Sequence, residues 1–268
     1  MNAFLRAARS LLFLAVYFLF LVVTGFVQRF VVWPLTVLRK ERRVAIVSTW
    51  FRLMANGSIA LSRIVAGVRL EIQGSIPPGS CVAVMNHQSL LDIPIAYALV
   101  GPPYPLIPTR AFYAWGIPLI SLLIRLGRLP LVHQKKETRR KDVLAILRGV
   151  EAVEKGELSM LIFPEGHRTR DGEIGPFMRA GLRSVLERAR RPVYIVVVDG
   201  FWRARTTSEA ILHYAGIYGK VRVAGPFAPP EEAEMESFID ELRQRMCAAL
   251  DAMRGRVPVD QGRAEIAK

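Results

Sequence analysis

Residues 85–94 read MNHQSLLDIP, with a histidine and an aspartate, His87 and Asp92, five positions apart. His87 closes an apolar run, and Asp92 stands where a helix is expected to begin. Positions five apart on a helix are rotated by about 140°, so these side chains meet only if His87 precedes the helix. Ser89 or Asp92 offers a capping oxygen and Pro94 is tolerated in a first turn, which favours that arrangement. The carboxylate then takes a hydrogen bond from one imidazole nitrogen, fixing the tautomer and leaving the other nitrogen as a base. Taken alone, the pair is explained equally well by a structural histidine at a strand end.

A second group lies in SMLIFPEGHRTRDG, residues 159–172. A strand is expected to end at Phe163 and Pro164 and to present Glu165, Gly166, His167, Arg168 and Arg170 at the carboxyl edge of a sheet, where ligands of open α/β sheets bind. Gly166 lets backbone approach a ligand, and Arg168 offers a fork of donors matched to phosphate oxygens. Arg125, Arg128, Lys135, Lys136, Arg139, Arg140 and Lys141 form a third, basic group around the apolar residues 129–132. Part of that group is a solvated helix face, and the rest suits a phosphate site or a bilayer surface. The serine-hydrolase elbow, the phosphate-binding loop and the H-E-x-x-H zinc motif are missing. His133, His167 and His213 are scattered, so no metal centre is expected.

These groups need a scaffold, and 268 residues with 51% hydrophobic content can supply one. Short apolar runs at residues 68–73, 81–85, 129–132, 159–163, 193–198 and 221–224 read as strands. Residues 93–99, 111–126, 138–154 and 181–190 read as helices, and apolar residues from Met235 to Met253 at helical spacing form a last one. The alternation predicts an α/β domain over residues 68–255, its mixed, largely buried sheet flanked by helices. N-terminal membrane-associated helices, residues 1–67, precede it. Residues 256–268 read as a flexible tail.

Residues 11–27 carry no charge and approach the length of a membrane span; an anchor is favoured over a cleaved signal peptide because no small-x-small site follows. Both a full span and an in-plane insertion fit. Residues 44–68 read as an amphipathic helix rather than a second span. Arg39, Lys40, Arg42 and Arg43 suit a face turned toward anionic lipid. The formal net charge of +14 agrees with an anionic partner, and without a nucleic-acid reading motif a membrane is preferred to nucleic acid. Cys81 and Cys247 imply no disulfide framework.

N-H-x-x-x-x-D at Asn86, His87 and Asp92, followed by F-P-E-G-x-R at residues 163–168, resembles the glycerolipid acyltransferase family. Residues 108–132 and 175–186, and Pro192 with Val193, resemble its other segments, so the likeness runs from about residue 68 to 200. It implies transfer of a fatty acyl group from a thioester, acyl-CoA or acyl carrier protein, to a lysophospholipid hydroxyl, with no cofactor besides that co-substrate. The expected acceptor is 1-acyl-sn-glycerol-3-phosphate and the product phosphatidic acid. The expected location is a bacterial-type inner membrane, with the site on its cytoplasmic face and anionic lipids around it. The likeness assigns His87 as general base and Asp92 as the group that orients it, with Glu165, Gly166 and Arg168 positioning the acceptor. His167 replaces the family's Thr or Ser, and His133 stands where the family has an arginine associated with acceptor phosphate. Arg110, Arg128 or Lys135 then substitutes for it, or the acceptor is a phosphate-free lysolipid such as a lyso-ornithine lipid. A reading of another class is a non-catalytic, basic protein that binds anionic lipid.

Overall fold

The computed structural model describes residues 2–133 and 135–256, so the tail expected from residue 256 lies, Arg256 excepted, outside the described residues. Its first element is one continuous helical rod. Ala3–Val27 (α1) passes through a π-helical turn at Gln28–Val32 into Trp33–Leu38 (α2). Over these 36 residues the rod is about 54 Å long. Arg43–Ile64 (α3) folds back along it. Both Ala3–Leu38 and Lys40–Ile64 are long and apolar enough to cross a membrane. The second was expected to be amphipathic, and it does bury one face, through Val47, Trp50, Phe51, Met54 and Ala55. Phe18, Leu19, Phe26 and Phe30 of the rod are exposed, whereas Phe13 and Leu21 are buried.

Polar groups hold the helices in register. Buried Gln28 accepts from Trp50 Nε1 at 2.6 Å and donates through Nε2 to the Leu119 carbonyl at 3.1 Å. Ser10 Oγ accepts the Ala215 amide at 3.1 Å, and Arg9 Nε donates to the Val65 carbonyl at 2.7 Å.

The remaining chain builds a six-stranded mixed sheet. Its strands are Arg69–Gln73 (β1), Val82–Met85 (β2), Pro105–Leu106 (β3), Ser159–Ile162 (β6), Val193–Asp199 (β7) and Tyr218–Phe227 (β8). The order is β1-β8-β7-β2-β6-β3; β7, β2, β6 and β3 run parallel, and β8 is antiparallel to β7. Every residue of β2 and β6 is buried, the pattern of central parallel strands covered on both faces. Asp92–Leu99 (α4), Arg139–Glu154 (α6), Arg179–Ala189 (α7) and Met235–Met253 (α9) cover the sheet together with α3. Because β2 and β6 are direct neighbours, the loops leaving their carboxyl ends start side by side although 78 residues separate them.

Two expected elements differ. The helix expected over residues 111–126 breaks into a 3-10 turn, Ala111–Ala114, and a short helix, Ile120–Leu126 (α5). Pro118 lacks an amide donor and Leu119 adopts φ 59°, so the helix cannot run through them. The strand expected over 129–132 shrinks to Leu131–Val132 (β5), which pairs with Thr109–Arg110 (β4) outside the main sheet. Pro130 just before it has no N–H for a ladder. A further helix, Thr207–His213 (α8), was not expected. Its capping box, with Thr206 Oγ1 accepting from the Glu209 amide and the Glu209 carboxylate accepting from the Thr206 amide, is a signal the sequence does contain.

Gln28→Leu should lower the stability of the detergent-solubilised chain by about 1–3 kcal/mol, since it leaves the Trp50 N–H buried without its partner, while the Leu119 carbonyl keeps the Leu123 amide. Thermal unfolding checks this, and an unchanged midpoint would contradict the register role of Gln28.

Candidate active site

His87 lies two residues beyond β2, and its backbone is held from both sides. Its amide donates to Glu165 Oε1 at 3.0 Å, and its carbonyl accepts from the Thr169 amide at 2.8 Å. The neighbouring residues are fixed as firmly. Asn86 bridges to β7 through both polar atoms of its side chain, donating to the Val198 carbonyl and accepting from the Val198 amide. Gln88 Oε1 accepts from the Phe201 amide at 3.0 Å.

Asp92 opens α4 and is completely buried. Its Oδ2 lies 2.8 Å from His87 Nδ1 and also accepts the amides of Gln88 at 2.6 Å and Ser89 at 2.8 Å. Ser89 does not cap the helix; it turns its hydroxyl back to the Leu91 amide. Three donors on one oxygen favour an ionised carboxylate, which in turn favours the tautomer with the proton on Nδ1. Nε2 is then unprotonated and has no partner among the described residues. The imidazole stacks on Phe163 with centroids 4.1 Å apart and is 16% exposed, so it is confined yet reachable. Such a group can accept a proton from a bound hydroxyl.

The loop after β6 supplies the other wall. Glu165 is buried, and its second oxygen accepts the Gly175 amide at 3.0 Å. Burial pushes its carboxyl above the usual range, against the opposing pull of the Gly175 and His87 amides. With an oxygen on each of two loops, Glu165 clamps them together. Gly166 follows at φ 70°, a left-handed turn that favours glycine, and a Cβ there would collide with the Met178 sulfur. Arg168 is half-buried and its guanidinium donates to the Arg205 carbonyl.

An outer brace closes behind the site, and the sequence reading missed it. Arg254, just past α9, forks onto Asp199 through Nε at 2.9 Å and Nη2 at 2.7 Å. It also donates to Glu173 at 2.7 Å and to the Gly172 carbonyl at 2.9 Å. Gln88 Nε2 lies 3.4 Å from both Asp199 and the Gly172 carbonyl, which connects the brace to the residue beside His87. Burial alone would raise the Asp199 carboxyl, but the Arg254 fork holds it below its ordinary value. An arginine at a helix end carries no local pattern that marks this role.

The two basic candidates lie elsewhere. Arg110 is exposed on β4, paired in register with Val132. Arg128 lines a cavity together with residues of α2 and α5. His133 is exposed, its amide and its Nδ1 both near Asp142 Oδ1, at 3.0 and 3.3 Å, and His167 is exposed.

The acyltransferase family model matches residues 67–199. The 1-acyl-sn-glycerol-3-phosphate acyltransferase BAT2, chloroplastic, of Brassica napus is 32% identical over 189 residues, 68% of this chain and 51% of that protein. The 1-acyl-sn-glycerol-3-phosphate acyltransferase of Pseudomonas aeruginosa is 28% identical over 185 residues, 66% of this chain and 65% of that protein. The chain therefore spans between half and two thirds of the length of these curated relatives. The crystal structure of the 1-acyl-sn-glycerophosphate (LPA) acyltransferase, PlsC, from Thermotoga maritima matches with TM-score 0.68 and 20% identity. It covers 94% of this chain and all of that one, so the two share a fold.

The brace makes a pH-dependent prediction. A depressed Asp199 contributes stability that is complete above its unfolded value, about 3.9, and is lost as pH falls through the folded value. Arg254→Met should lower stability by about 3 kcal/mol at pH 7, and the gap should shrink toward pH 3. Thermal midpoints at the two pH values check it, and a constant gap would contradict the assignment.

Proposed function

The chain belongs, through residues 67–199, to the acyltransferase family, and from that premise we propose that it moves a fatty acyl group from acyl-CoA or acyl carrier protein to 1-acyl-sn-glycerol-3-phosphate, giving phosphatidic acid. The observation that carries this reading is the His87–Asp92 pair. The 2.8 Å contact occupies Nδ1 and leaves Nε2 without a partner among the described residues, at the carboxyl edge of the sheet.

In the proposed reaction, Nε2 of His87 takes the proton of the acceptor hydroxyl as its oxygen attacks the thioester carbonyl carbon. The new C–O bond forms and the C–S bond breaks when the tetrahedral intermediate collapses. The thiolate leaves with its electron pair and recovers the proton from the imidazolium, so no acyl-enzyme forms. Asp92 stays ionised throughout and offsets the transient charge on the ring. Glu165 and Gly166 act by shaping the loop, and Arg168 is the cation nearest that turn in sequence for an acceptor phosphate. The exposed apolar face of the N-terminal rod agrees with a membrane-bound enzyme working on a substrate that resides in lipid; the orientation that belongs to this proposal puts the site toward the cytoplasm.

His87→Ala, assayed in detergent with acyl donor and 1-acyl-sn-glycerol-3-phosphate, should lose about 10²–10⁴-fold in kcat while folding normally. Full activity would reject His87 as the general base, and a lack of acyl transfer by the unaltered chain would leave the non-catalytic lipid-binding alternative. Glu165→Gln keeps one acceptor oxygen but sets its NH₂ group against a backbone amide donor. It should lower kcat by about tenfold through misplacement of His87, with a smaller change in KM. A panel of lysolipids identifies the acceptor: preference for 1-acyl-sn-glycerol-3-phosphate is expected, and preference for a lyso-ornithine lipid would replace it.

A further inference from the structure

Two basic segments that lie more than eighty residues apart in the sequence come together in space. Lys40 and Arg43, at the turn into α3, share a cavity of about 550 Å³ with Arg125 and Arg128 at the end of α5. Its other walls are largely apolar, formed by Trp33, Val37, Leu122 and Leu126. Among the described residues no aspartate or glutamate lines it. Four cations facing one space without a counter-charge repel one another, and an anion entering that space relieves the repulsion.

Two of the four cations, Arg43 and Arg125, are held by contacts within the fold. Arg43 donates to the Leu126 carbonyl at 2.6 Å, which ties the start of α3 to the end of α5. The Arg125 guanidinium stacks over Trp115 at 4.8 Å and donates to the Ser121 carbonyl at 3.2 Å. Arg128 holds a left-handed backbone, φ 50°, which is uncommon for a residue with a side chain and tends to persist where the surrounding structure demands it.

The residues lining the cavity include none of those that hold His87 and Glu165. Tyr104 Oη donates to the Gly127 carbonyl at 3.1 Å, and the Tyr104 carbonyl accepts from the amide of Ser159, the first residue of β6. The turn bearing Arg128 is thus tied to the residue before β3, and its Pro130 carbonyl accepts from the amide of Thr109 after that strand. His87 and Glu165 follow the carboxyl ends of β2 and β6.

We propose that this cavity binds the phosphate headgroup of an anionic membrane phospholipid. A lipid fits better than free phosphate because the apolar walls continue onto exposed Phe30, Val31, Leu35 and Leu38 of the same rod, where acyl chains can lie. The headgroup then sits among the four cations while its chains cover the apolar face, so both halves of an amphiphile are satisfied.

The test is an equilibrium titration of the full chain in dodecylmaltoside micelles with phosphatidylglycerol, in the absence of acyl donor, so its outcome does not depend on the acyltransferase reading. Arg125→Gln with Arg128→Gln should weaken binding at least tenfold. Arg148→Gln with Lys155→Gln, an equal loss of charge on exposed positions, should change it less than twofold. Lys40→Gln alone should weaken it about threefold, which keeps the proposal testable if the double variant unfolds. Equal binding by the cavity variants and the charge-matched control overturns the site. Equal affinity for phosphatidylcholine, or displacement of phosphatidylglycerol by millimolar inorganic phosphate, overturns its assignment to an anionic lipid.

Discussion

A carboxylate shut away from water survives only where donors replace its hydration, and the Asp92 side chain meets that demand on one oxygen. Two of its three donors are backbone amides of the turn it follows, so the turn and the charge specify each other. The third is the imidazole. Orientation of His87 is therefore not a separate achievement of the site: the geometry that makes a buried Asp92 tolerable is the geometry that aims the ring. Among the described residues Asp92 Oδ1 is buried without a partner, which leaves the charge biased toward the oxygen that faces His87.

That arrangement holds only if the strand leading into it stays in place. Asn86 ties the end of β2 to β7, and Glu165 ties His87 to the loop leaving β6. Beyond them Arg254 joins Asp199, Glu173 and the Gly172 carbonyl, with Gln88 reaching into the same group. The charged and polar groups thus form nested supports whose members are satisfied largely by backbone. In a low-dielectric interior such contacts are strong and directional, and a missing one leaves a desolvated group behind. A catalytic edge made from loops can be as well determined as one made from helices when its loops are fastened in this way.

Much of this was readable in the residues, for identifiable reasons. The strands VAVM and SMLI announce burial on both faces because, Ser159 apart, their side chains are apolar without alternation, and these strands are neighbours inside the sheet. The 3.6-residue turn and Pro94 showed that His87 and Asp92 could meet if His87 preceded the helix, and in the folded chain it does. What stayed illegible depends on distant partners. Nothing near Arg254 reveals that it faces Asp199, and nothing in F-P-E-G shows that both Glu165 oxygens hold amides. The expected helix over residues 111–126 failed at Pro118, a local signal that the apolar periodicity around it obscured. The two basic segments were each visible, but their convergence is a property of the folded chain.

The polar ties of the N-terminal rod also bear on how the protein is made. Ser10 accepts its hydrogen bond from Ala215, 205 residues later, and Gln28 donates to Leu119, 91 residues later. At roughly 5–20 residues per second, the first of these partners leaves the ribosome on the order of 10–40 s after Ser10. During that interval the most apolar part of the chain already exists and its docking surface does not. Phe13 and Leu21 lack their docking surface until the sheet is complete, and Phe18, Leu19, Phe26 and Phe30 stay exposed in the folded chain as well, so a bilayer is a host that matches the rod. On the proposed membrane-bound reading, insertion of the rod is an early event of biogenesis, and the globular part assembles afterwards against a helix already held in lipid.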